Sequence, residues 1–403
     1  MSNYSAEIVK ITNIRKHSNA DRLNCTTVFG NNIIVGKDIR VGDMCVYFPL
    51  ESQLSEEFCK ANDLIRRYEV IDGQKVKKGG MFDDNRRVRA QKFRGEFSEG
   101  FVLGINSLSS FCDVSKLKEG DSFNKIKGVD ICEKYVIKRR NPSGPLGKRA
   151  RDVGLDRFVD GQFHFHSNTA HLGRSLREFN LDDVISISYK IHGSSFTARK
   201  ILVNKGAWLW KKPVYELVAS SRNCVKDMSC KDDIWVKTAK ELEDAIPNGY
   251  TMYGEIAGFS DLGGQIQKGY DYGCEPKQKK TFVYRMTYTT PEGRVIELTY
   301  PQVKEFCDSM GLETPKLFYT GTVRDYCISR GIDVEDRDWR ENWLEKLKEE
   351  YNEKDCFMCN NNVPEEGVVI RKDGIHFKAF KLKSSRFLLT ETEILDKGED
   401  IES

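Results

Sequence analysis

The segment Tyr189-Lys190-Ile191-His192-Gly193 carries the strongest chemical signal in this 403-residue chain. Lys190 lies near the end of a β-like run, ISISYKI, and Gly193 comes just before a second run, SSFTARK. A lysine at a strand end beside a glycine turn projects into a cleft, where its amine can act as a nucleophile or bind an anion. A lysine and a glycine at this spacing are common by chance, so the rest of the chain decides what Lys190 does.

Charged segments downstream of Lys190 supply groups that phosphate chemistry needs. Lys381 and Lys383 alternate along one β-like segment, so both ammonium groups face the same side of a sheet. Glu255 and Glu366 are carboxylates, which Mg²⁺ binds in small number together with water and substrate phosphates. In chain order the segments are Ser221-Arg222-Asn223, Tyr253-Gly254-Glu255, Thr281-Phe282-Val283-Tyr284-Arg285, Glu366-Gly367-Val368-Val369-Ile370-Arg371 and Lys381-Leu382-Lys383.

The order and spacing of these segments resemble the covalent nucleotidyltransferase superfamily of DNA ligases, RNA ligases and mRNA capping enzymes, over residues 180–388. DNA ligases and capping enzymes carry an OB domain after the last lysine motif, whereas only twenty residues follow Lys383. Here an OB-like pattern comes first, because residues 16–23 with NIIVG and VGDMCVYFP resemble the OB-type domains of tRNA-binding proteins. Residues 160–166 look like the approach to the nucleophile in RNA ligases. The whole chain is therefore similar to RNA ligases with an N-terminal OB domain.

This resemblance implies a role for each matching residue. Lys190 would attack the α-phosphate of ATP and carry AMP, with Lys381 and Lys383 as further catalytic residues. A free lysine is protonated at neutral pH, so cations such as this pair, or burial, must favour the neutral amine. Glu255 and Glu366 would hold Mg²⁺ or Mn²⁺, Tyr284 would stack on adenine, and Gly193 would let the backbone approach the nucleotide. The expected nucleotide contacts are Ile191, Gly193, Arg222, Glu255, Tyr284, Lys381 and Lys383.

One position departs from this pattern. His192 stands where many relatives have an aspartate that can help to position the metal, although some RNA ligases also have histidine there. The metal-positioning role of this residue is therefore open.

Runs of β-like and helical residues divide the chain into three parts. We expect an OB-fold nucleic-acid-binding domain over residues 1–125, a basic linker over residues 126–175 and an adenylyltransferase domain over residues 176–403. A helical insertion is expected at about residues 322–360, where Trp339, Trp343, Leu344 and Leu347 recur at helical spacing. The fold class is α+β: an N-terminal OB-type β-barrel followed by a nucleotidyltransferase (ATP-grasp-like) domain of antiparallel sheets flanked by helices.

The net charge of +3 is ordinary for a protein and gives no evidence for nucleic-acid binding. The candidates for nucleic-acid binding are therefore local clusters of basic residues. Their members are Lys75, Lys77, Arg87 and Arg89 in the barrel and Lys138, Arg139 and Arg140 in the linker. A solvated charged loop explains the barrel group equally well. The linker group could track phosphates, connect domains or act as a nuclear-import signal.

Composition narrows the remaining possibilities. No run approaches the ~18 apolar residues of a membrane-spanning helix, so no membrane partner is expected. The start MSNYSAEIVKITNI lacks the pattern of a secretory signal, which favours a cytoplasmic or nuclear protein with reduced cysteines. A monomer is also expected. The one tight cysteine pair, Cys356 and Cys359 in CFMC, has no second pair at zinc-finger spacing.

The function that these observations favour is ATP-dependent RNA ligation in RNA repair. Lys190 would take AMP from ATP, pass it to the 5′-phosphate of an RNA strand in a nicked duplex, and a 3′-hydroxyl would then displace the AMP. Two alternatives stay open. The chain could be a DNA ligase or a GTP-dependent capping enzyme, or it could be a non-catalytic RNA-binding protein with a vestigial pocket.

Overall fold

The computed structural model describes residues 4–71, 74–136, 157–166, 169–204, 212–374 and 377–397. The chain forms two compact units, Met1–Lys138 with Ser385–Glu399, and Arg139–Ser384 with Asp400–Ser403. Among the described residues, no helix has the length and apolar character that crossing a membrane requires.

Short antiparallel strands build the first unit. They form a four-stranded sheet in the order β11-β5-β1-β12, a three-stranded sheet β2-β3-β4 and the pairs β6–β15, β7–β8, β9–β10 and β13–β14. The strands are β1 (Ala6–Lys10), β2 (Arg15–Lys16), β3 (Leu23–Val28), β4 (Asn31–Gly36), β5 (Met44–Phe48), β6 (Ser52–Leu54), β7 (Arg66–Ile71), β8 (Gln74–Gly79), β9 (Ala90–Phe93), β10 (Glu96–Glu99), β11 (Phe101–Gly104), β12 (Ser122–Phe123), β13 (Lys125–Ile126), β14 (Val129–Asp130) and β15 (Cys132–Lys134), with one helix, α1 (Glu56–Ala61), between β6 and β7.

Both faces of the central sheet in this unit are buried. Ile8 and Phe48 face one apolar core, whereas Val9 and Cys45 face another on the opposite side. This division follows from the alternation of side chains along a strand. Residues 125–134 add β13 to β15 to the same unit, so its strands continue past the expected boundary at residue 125.

Two five-stranded sheets dominate the second unit. Their orders are β16-β25-β24-β17-β23 and β19-β18-β20-β21-β22, and each pair is antiparallel except β16 with β25. The strands are β16 (Ala170–His171), β17 (Val184–Tyr189), β18 (Ser194–Asn204), β19 (Val214–Ser220), β20 (Tyr250–Gly258), β21 (Lys279–Thr289), β22 (Val295–Glu297), β23 (Leu317–Thr322), β24 (Gly367–Lys372) and β25 (Lys378–Lys383). The helices are α2 (Ile234–Glu241), α3 (Tyr300–Ser309), α4 (Val323–Ser329) and α5 (Trp339–Tyr351).

Alternation along β17, β24 and β25 gives the first of these sheets one apolar and one functional face. Ile187, Ile370 and Leu382 belong to a buried core on one side. Val369 pairs with Lys381, and Gly367 pairs with Lys383, so these residues occupy positions of the opposite face. Both lysines of the predicted pair therefore point away from the core, as their spacing indicates.

The predicted helical insertion is present as α4 and α5. Trp339, Trp343, Leu344 and Leu347 of α5 are all buried in the core beneath the first sheet, as the periodicity predicted. The α5 residue Glu350 accepts hydrogen bonds from Tyr326 of α4 and from Arg330, the residue that ends α4. The insertion is thus an integral part of the second unit.

A final helix, α6 (Ser385–Asp396), belongs to the first unit although the sequence placed it in the ligase domain. The Arg87 side chain is fully buried and pairs with Glu51 at 2.8 Å and with Asp396 of α6 at 3.0 Å. Arg89 also pairs with Asp396, at 3.0 Å. This corrects the prediction that Arg87 contacts nucleic acid. Its guanidinium lies in the interior, where it binds Asp396 of α6, and is not exposed to a phosphate backbone.

Replacing Arg87 should therefore destabilise the first unit. In Arg87→Met, a side chain of similar length removes the charge and leaves Glu51 and Asp396 without their buried partner. We expect the free energy of unfolding to fall by about 2 kcal/mol, the scale of hydrogen bonds to charged groups. Urea unfolding of the full chain measures it. Lys60→Ala, which breaks an exposed pair with Glu56 on α1, is the matched control and should change little. Equal midpoints for both variants would contradict the structural role of Arg87.

Candidate active site

Lys190 immediately follows β17 and is fixed by the strands beside it. Its backbone N–H donates to the carbonyl of Gly367 at 2.9 Å, and the N–H of Tyr189 donates to the carbonyl of Lys316 at 2.8 Å. The backbone of Lys190 and of the residue before it is therefore anchored, while the lysine side chain remains one-fifth exposed. This is the strand-end geometry that the sequence predicted.

Glu366 lies between two lysines. Its Oε1 is 2.9 Å from the Nζ of Lys190 and 3.5 Å from the Nζ of Lys383, and the carboxylate is buried. Burial alone raises the pKa of Glu366, but the positive charges of Lys190 and Lys383, with His192, outweigh it and lower that pKa to about 2. The structure thus brings together three predicted residues, with Lys190 and Lys383 beside the ionised carboxylate of Glu366.

The second oxygen of Glu366 has a different environment. Among the described residues, Oε2 is buried without a hydrogen-bond donor, and the His192 Nδ1 is 3.8 Å away. A carboxylate oxygen in this state has capacity for a cation or a water molecule. The described residues contain no group of three or more His, Cys, Asp or Glu that could hold a metal ion by themselves. Glu255 and Glu366 fit a divalent cation only if water and substrate phosphates complete its coordination, which is the habit of Mg²⁺.

A cavity of about 400 Å³ adjoins this cluster. Sites for small molecules typically have volumes of ~300–1,000 Å³, so a nucleotide-sized ligand is appropriate. Five of the predicted residues line it: Lys190, Ile191, Arg222, Glu255 and Tyr284. Ser188, Val369 and Arg371 contribute from the face of the first sheet that carries Lys381 and Lys383, and Ser195 contributes from the second sheet.

Tyr284 of β21 forms one wall of the cavity together with His166, which ends the stretch that resembles the approach to the nucleophile but was not predicted as a site residue. Its hydroxyl is 3.1 Å from the Nε2 of His166, and the two rings meet edge to face at 5.9 Å. Burial, and then the nearby charge of Glu255, raise the pKa of Tyr284, so its phenol is neutral. Since His166 precedes Tyr284 by 118 residues, no local pattern could have paired them.

Gly193 is required by a neighbouring strand. A Cβ at this position would lie 2.6 Å from the carbonyl oxygen of Ile256 on β20, well inside van der Waals contact. The carbonyl of Gly193 accepts a hydrogen bond from the Gln267 amide at 2.8 Å. The close approach that a glycine permits here is therefore to β20, whereas the sequence assigned it to the nucleotide.

His171 lies among the cations of the site. Its strand β16 pairs with β25, with His171 opposite Lys381. Burial first, and then the charges of Lys381, Arg174, Lys348 and Lys383, lower the pKa of His171 to about 3. The ring is therefore neutral, and the four cations near it create a positive field on this side of the Glu366 cluster. Neither His171 nor Arg174 belongs to a motif that the sequence analysis recognised.

Buried charged groups join the two sheets beside the cavity. Arg371 of β24 donates to the carbonyl of Leu298, and its guanidinium is 3.7 Å from Glu297 of β22. Glu297 is held by a bidentate pair with Arg285 of β21 at 2.8 and 2.9 Å. The Phe377 ring lies within 4.7 Å of Arg371 and 4.4 Å of Arg285. These contacts fix the strand that carries Tyr284 relative to β24, which pairs with the strand before Lys190.

The structure describes only some of the residues that were predicted to contact nucleic acid. Lys138, Arg139 and Arg140, and the side chains of Lys75 and Lys77, lie outside the described residues. Arg89 is one-fifth exposed and pairs with Asp83 and Asp396. Its charge is thus already balanced within the first unit.

The low pKa of His171 makes stability depend on pH. Below pH ~6.5 the unfolded chain protonates this ring, whereas the folded protein keeps it neutral until pH falls to about 3. The folded state therefore loses stability as pH falls. Relative to His171→Gln, the wild type should lose at most about 1.4 kcal/mol per pH unit between about pH 6 and pH 4.

Chemical unfolding at a series of pH values measures this difference. His164→Gln removes an exposed histidine from the same unit and should keep the wild-type slope. If His171→Gln and the wild type lose stability in parallel over this range, the ring is protonated in the folded protein and the electrostatic description of the site is wrong.

Two family models match the chain. One described as RNA ligase matches residues 183–385, just over half of the chain. One described as an OB-fold domain matches residues 5–105 in the first unit. A comparison with curated proteins found no match.

Solved structures of Naegleria gruberi RNA ligase resemble the whole chain. A mutant with AMP and Mn is 15% identical, with 96% of this chain and 98% of that chain covered and a TM-score of 0.61. A mutant with ATP and Mn is 15% identical, with the same coverage and a TM-score of 0.60. The protein with PPi is 16% identical, again with 96% and 98% covered and a TM-score of 0.60. At these identities the likeness establishes the fold, and it confirms the predicted α+β class with an OB-type domain first.

Proposed function

The chain belongs to the RNA ligase family, and we propose that it joins RNA 3′-hydroxyl and 5′-phosphate ends at the expense of ATP through an AMP-bearing Lys190. The observation that carries this proposal is the cluster of Lys190, Glu366 and Lys383 at the edge of a nucleotide-sized cavity. A nucleophilic amine, a buried carboxylate and a second cation are the groups that nucleotidyl transfer to lysine needs.

The first step is the attack of Lys190 on the α-phosphate of ATP, with pyrophosphate as leaving group. The amine must first leave its ion pair with Glu366 and lose a proton. Glu255 and Glu366 are the residues that would hold Mg²⁺ or Mn²⁺, and this ion would supply charge neutralisation at the phosphates. Lys383, which already lies beside the same carboxylate, is placed to stabilise the charge that develops on the α-phosphate.

The residues that line the cavity suggest contacts for the base, the ribose and the other phosphates of ATP. Tyr284 would stack on adenine, and Val369 would cover the opposite face of the base. Arg222 would contact ribose or phosphate, and Ile191 the nucleotide beside the attacking amine. Lys381, with Arg174 and Lys348 near it, would attract the β- and γ-phosphates through the positive field around His171.

The later steps reuse this site. AMP passes from Lys190 to the RNA 5′-phosphate, and the 3′-hydroxyl then displaces it to form the phosphodiester. Each step is a transfer at phosphorus in which positioning and charge neutralisation supply most of the rate. We further propose that the protein acts as a monomer in RNA repair, with the first unit and the basic residues Lys75, Lys77, Lys138, Arg139 and Arg140 holding a nicked duplex.

Formation of a covalent AMP adduct tests the first step. Purified protein incubated with ATP and Mg²⁺ or Mn²⁺ should gain the mass of one AMP. Among the described residues, Lys190 is the lysine that both lines this cavity and pairs with Glu366. Lys190→Ala should gain none, whereas Lys304→Ala, an exposed lysine on α3, should behave as the wild type. Labelling by GTP and not by ATP would contradict the proposal.

The same experiment extends to ligation. The adenylylated protein should seal a nicked RNA duplex with 3′-hydroxyl and 5′-phosphate ends and should leave a nick with 3′-phosphate and 5′-hydroxyl ends unsealed. A protein that takes up AMP but seals only DNA nicks would keep the first step and refute the RNA assignment.

Tyr284 allows a test of the base-binding wall. Tyr284→Ala should raise the ATP concentration for half-maximal adenylylation at least about fivefold, because stacking of a base on an aromatic ring contributes ~1–3 kcal/mol. Tyr284→Phe keeps the ring, loses the hydroxyl with its contacts to His166 and Ser195, and should stay close to the wild type. Tyr288→Ala, four residues along β21 where the ring packs on Tyr250, is the control for a lost tyrosine. Equal effects of the two alanine variants would exclude stacking on Tyr284.

A further inference from the structure

Cys356 and Cys359 form a tight pair that the proposed reaction does not use. They lie in the loop between α5 and β24, where the N–H of Cys356 donates to the carbonyl of Val363 at 2.8 Å. The N–H of Cys359 points back to the carbonyl of Cys356 at 3.4 Å, which closes a turn. All twelve cysteines of the chain are free thiols.

The two thiols influence each other across this turn. The Cys359 thiol, the Tyr189 hydroxyl and the N–H groups of Met358 and Cys359 favour the charged form of Cys356. Cys359 is the main cause that lowers the pKa of Cys356, against the effect of burial. Cys356 is therefore the first of the pair to lose its proton, whereas Cys359, whose pKa is raised, is partly exposed. A Cys-x-x-Cys thiolate of this kind is the reactive form of cysteine.

The turn that carries this pair is linked to both sides of the nucleophile segment. On one side, the ring of Phe357, next to Cys356, meets the ring of Tyr189, the residue before Lys190, edge to face at 4.8 Å. On the other side, the N–H of Asn360, next to Cys359, donates to the carboxylate of Asp271, next to Tyr272, at 2.9 Å. The Tyr272 hydroxyl in turn accepts a hydrogen bond from the N–H of His192 at 2.6 Å. The turn that carries the dithiol thus supports residues 189–192 from both ends.

We propose that Cys356 and Cys359 are a redox-active dithiol, which a hydroperoxide oxidises to a disulfide, and that the oxidised form loosens residues 189–192 and slows the reaction of Lys190. The second half of this inference rests on the proposed function, whereas the first half is independent of it. Nothing in the ligation reaction requires a thiol pair at this place.

The chemistry balances with a hydroperoxide as the oxidant. The Cys356 thiolate attacks one oxygen of the peroxide, the O–O bond breaks, and Cys356 becomes a sulfenic acid while hydroxide, or an alkoxide, leaves. The Cys359 sulfur then attacks the sulfenic sulfur, its proton goes with the departing oxygen as water, and the S–S bond forms. Two electrons pass from the dithiol to the peroxide. A small dithiol such as dithiothreitol reverses the change by thiol–disulfide exchange.

Oxidation changes the support of the nucleophile segment for a physical reason. The Tyr189 ring is buried and packs on Phe357 beside Cys356, and its hydroxyl favours the thiolate form of Cys356. A disulfide has no negative charge to accept this interaction, and joining the sulfur atoms at about 2.05 Å requires the turn that carries Phe357 to adjust. A buried hydroxyl that loses its partner destabilises the local conformation.

The test uses the full chain and hydrogen peroxide. Peptide mapping by mass spectrometry should find Cys356 and Cys359 joined, with a loss of two hydrogens that dithiothreitol restores. Cys356→Ser and Cys359→Ser should each form no such link, and Cys359→Ser is the decisive variant if Cys356→Ser folds poorly. Cys230→Ser, which removes an exposed cysteine elsewhere in the second unit, should oxidise as the wild type does. Free thiols at both positions after peroxide has oxidised Cys230, or stoichiometric zinc in the purified protein bound through this pair, would overturn the proposal.

Two further readouts follow the consequence of oxidation. Amide hydrogen exchange of the peptide that contains residues 189–192 should be faster in the oxidised protein and unchanged by peroxide in Cys359→Ser. The rate of AMP transfer to Lys190 should fall about tenfold on oxidation and return with dithiothreitol, a factor that matches the loss of one hydrogen bond to a charged group. Peroxide inhibition of the same size in Cys359→Ser would contradict the proposal. A reduced protein that takes up no AMP would contradict the proposed function instead, and the disulfide and exchange measurements would still decide the redox inference.

Discussion

The buried carboxylate of Glu366 is the constraint on which the site depends. Burial of a charge is unfavourable unless opposite charges lie beside it, and here Lys190 and Lys383 provide them at 2.9 and 3.5 Å. The three residues come from the segment after β17, the segment before β24 and the end of β25, which are adjacent in one sheet. The pairing of these strands therefore assembles the chemistry, and the compensation of charge explains why the three groups tolerate one another in a dry location.

Further cations lie on one side of the Glu366 cluster. Lys381, Arg174 and Lys348 add positive charge near His171, which remains neutral because its burial and these cations oppose protonation. A positive field of this kind attracts an anion with several charges. The resting ion pair between Lys190 and Glu366 is then a state that a bound triphosphate and a cation would reorganise.

Local patterns in the sequence were sufficient to predict much of this arrangement. The predictions failed where a residue's partner is distant in the chain. Lys381 and Lys383 were placed correctly on one face because alternation is a property of a single strand. The prediction for Arg87 was wrong because its buried partner, Asp396, lies 309 residues away in α6. Gly193 was recognised as necessary, but the atom that requires it, the carbonyl of Ile256, belongs to another strand. Long-range partners are set by packing, which no short window of residues encodes.

Buried but paired charges also lie between the two sheets that line the cavity. Arg371 belongs to the sheet that carries Lys190, and its guanidinium donates to the carbonyl of Leu298 and lies 3.7 Å from Glu297. Glu297 belongs to the sheet that carries Tyr284 and is held there by Arg285. Hydrogen bonds of charged groups have strict distances and directions, whereas apolar contacts tolerate sliding. The distance from Tyr284 to Lys190 is therefore set by directional contacts. Apolar packing in the cores stabilises each sheet, and buried charges fix how the two sheets present their residues to one ligand.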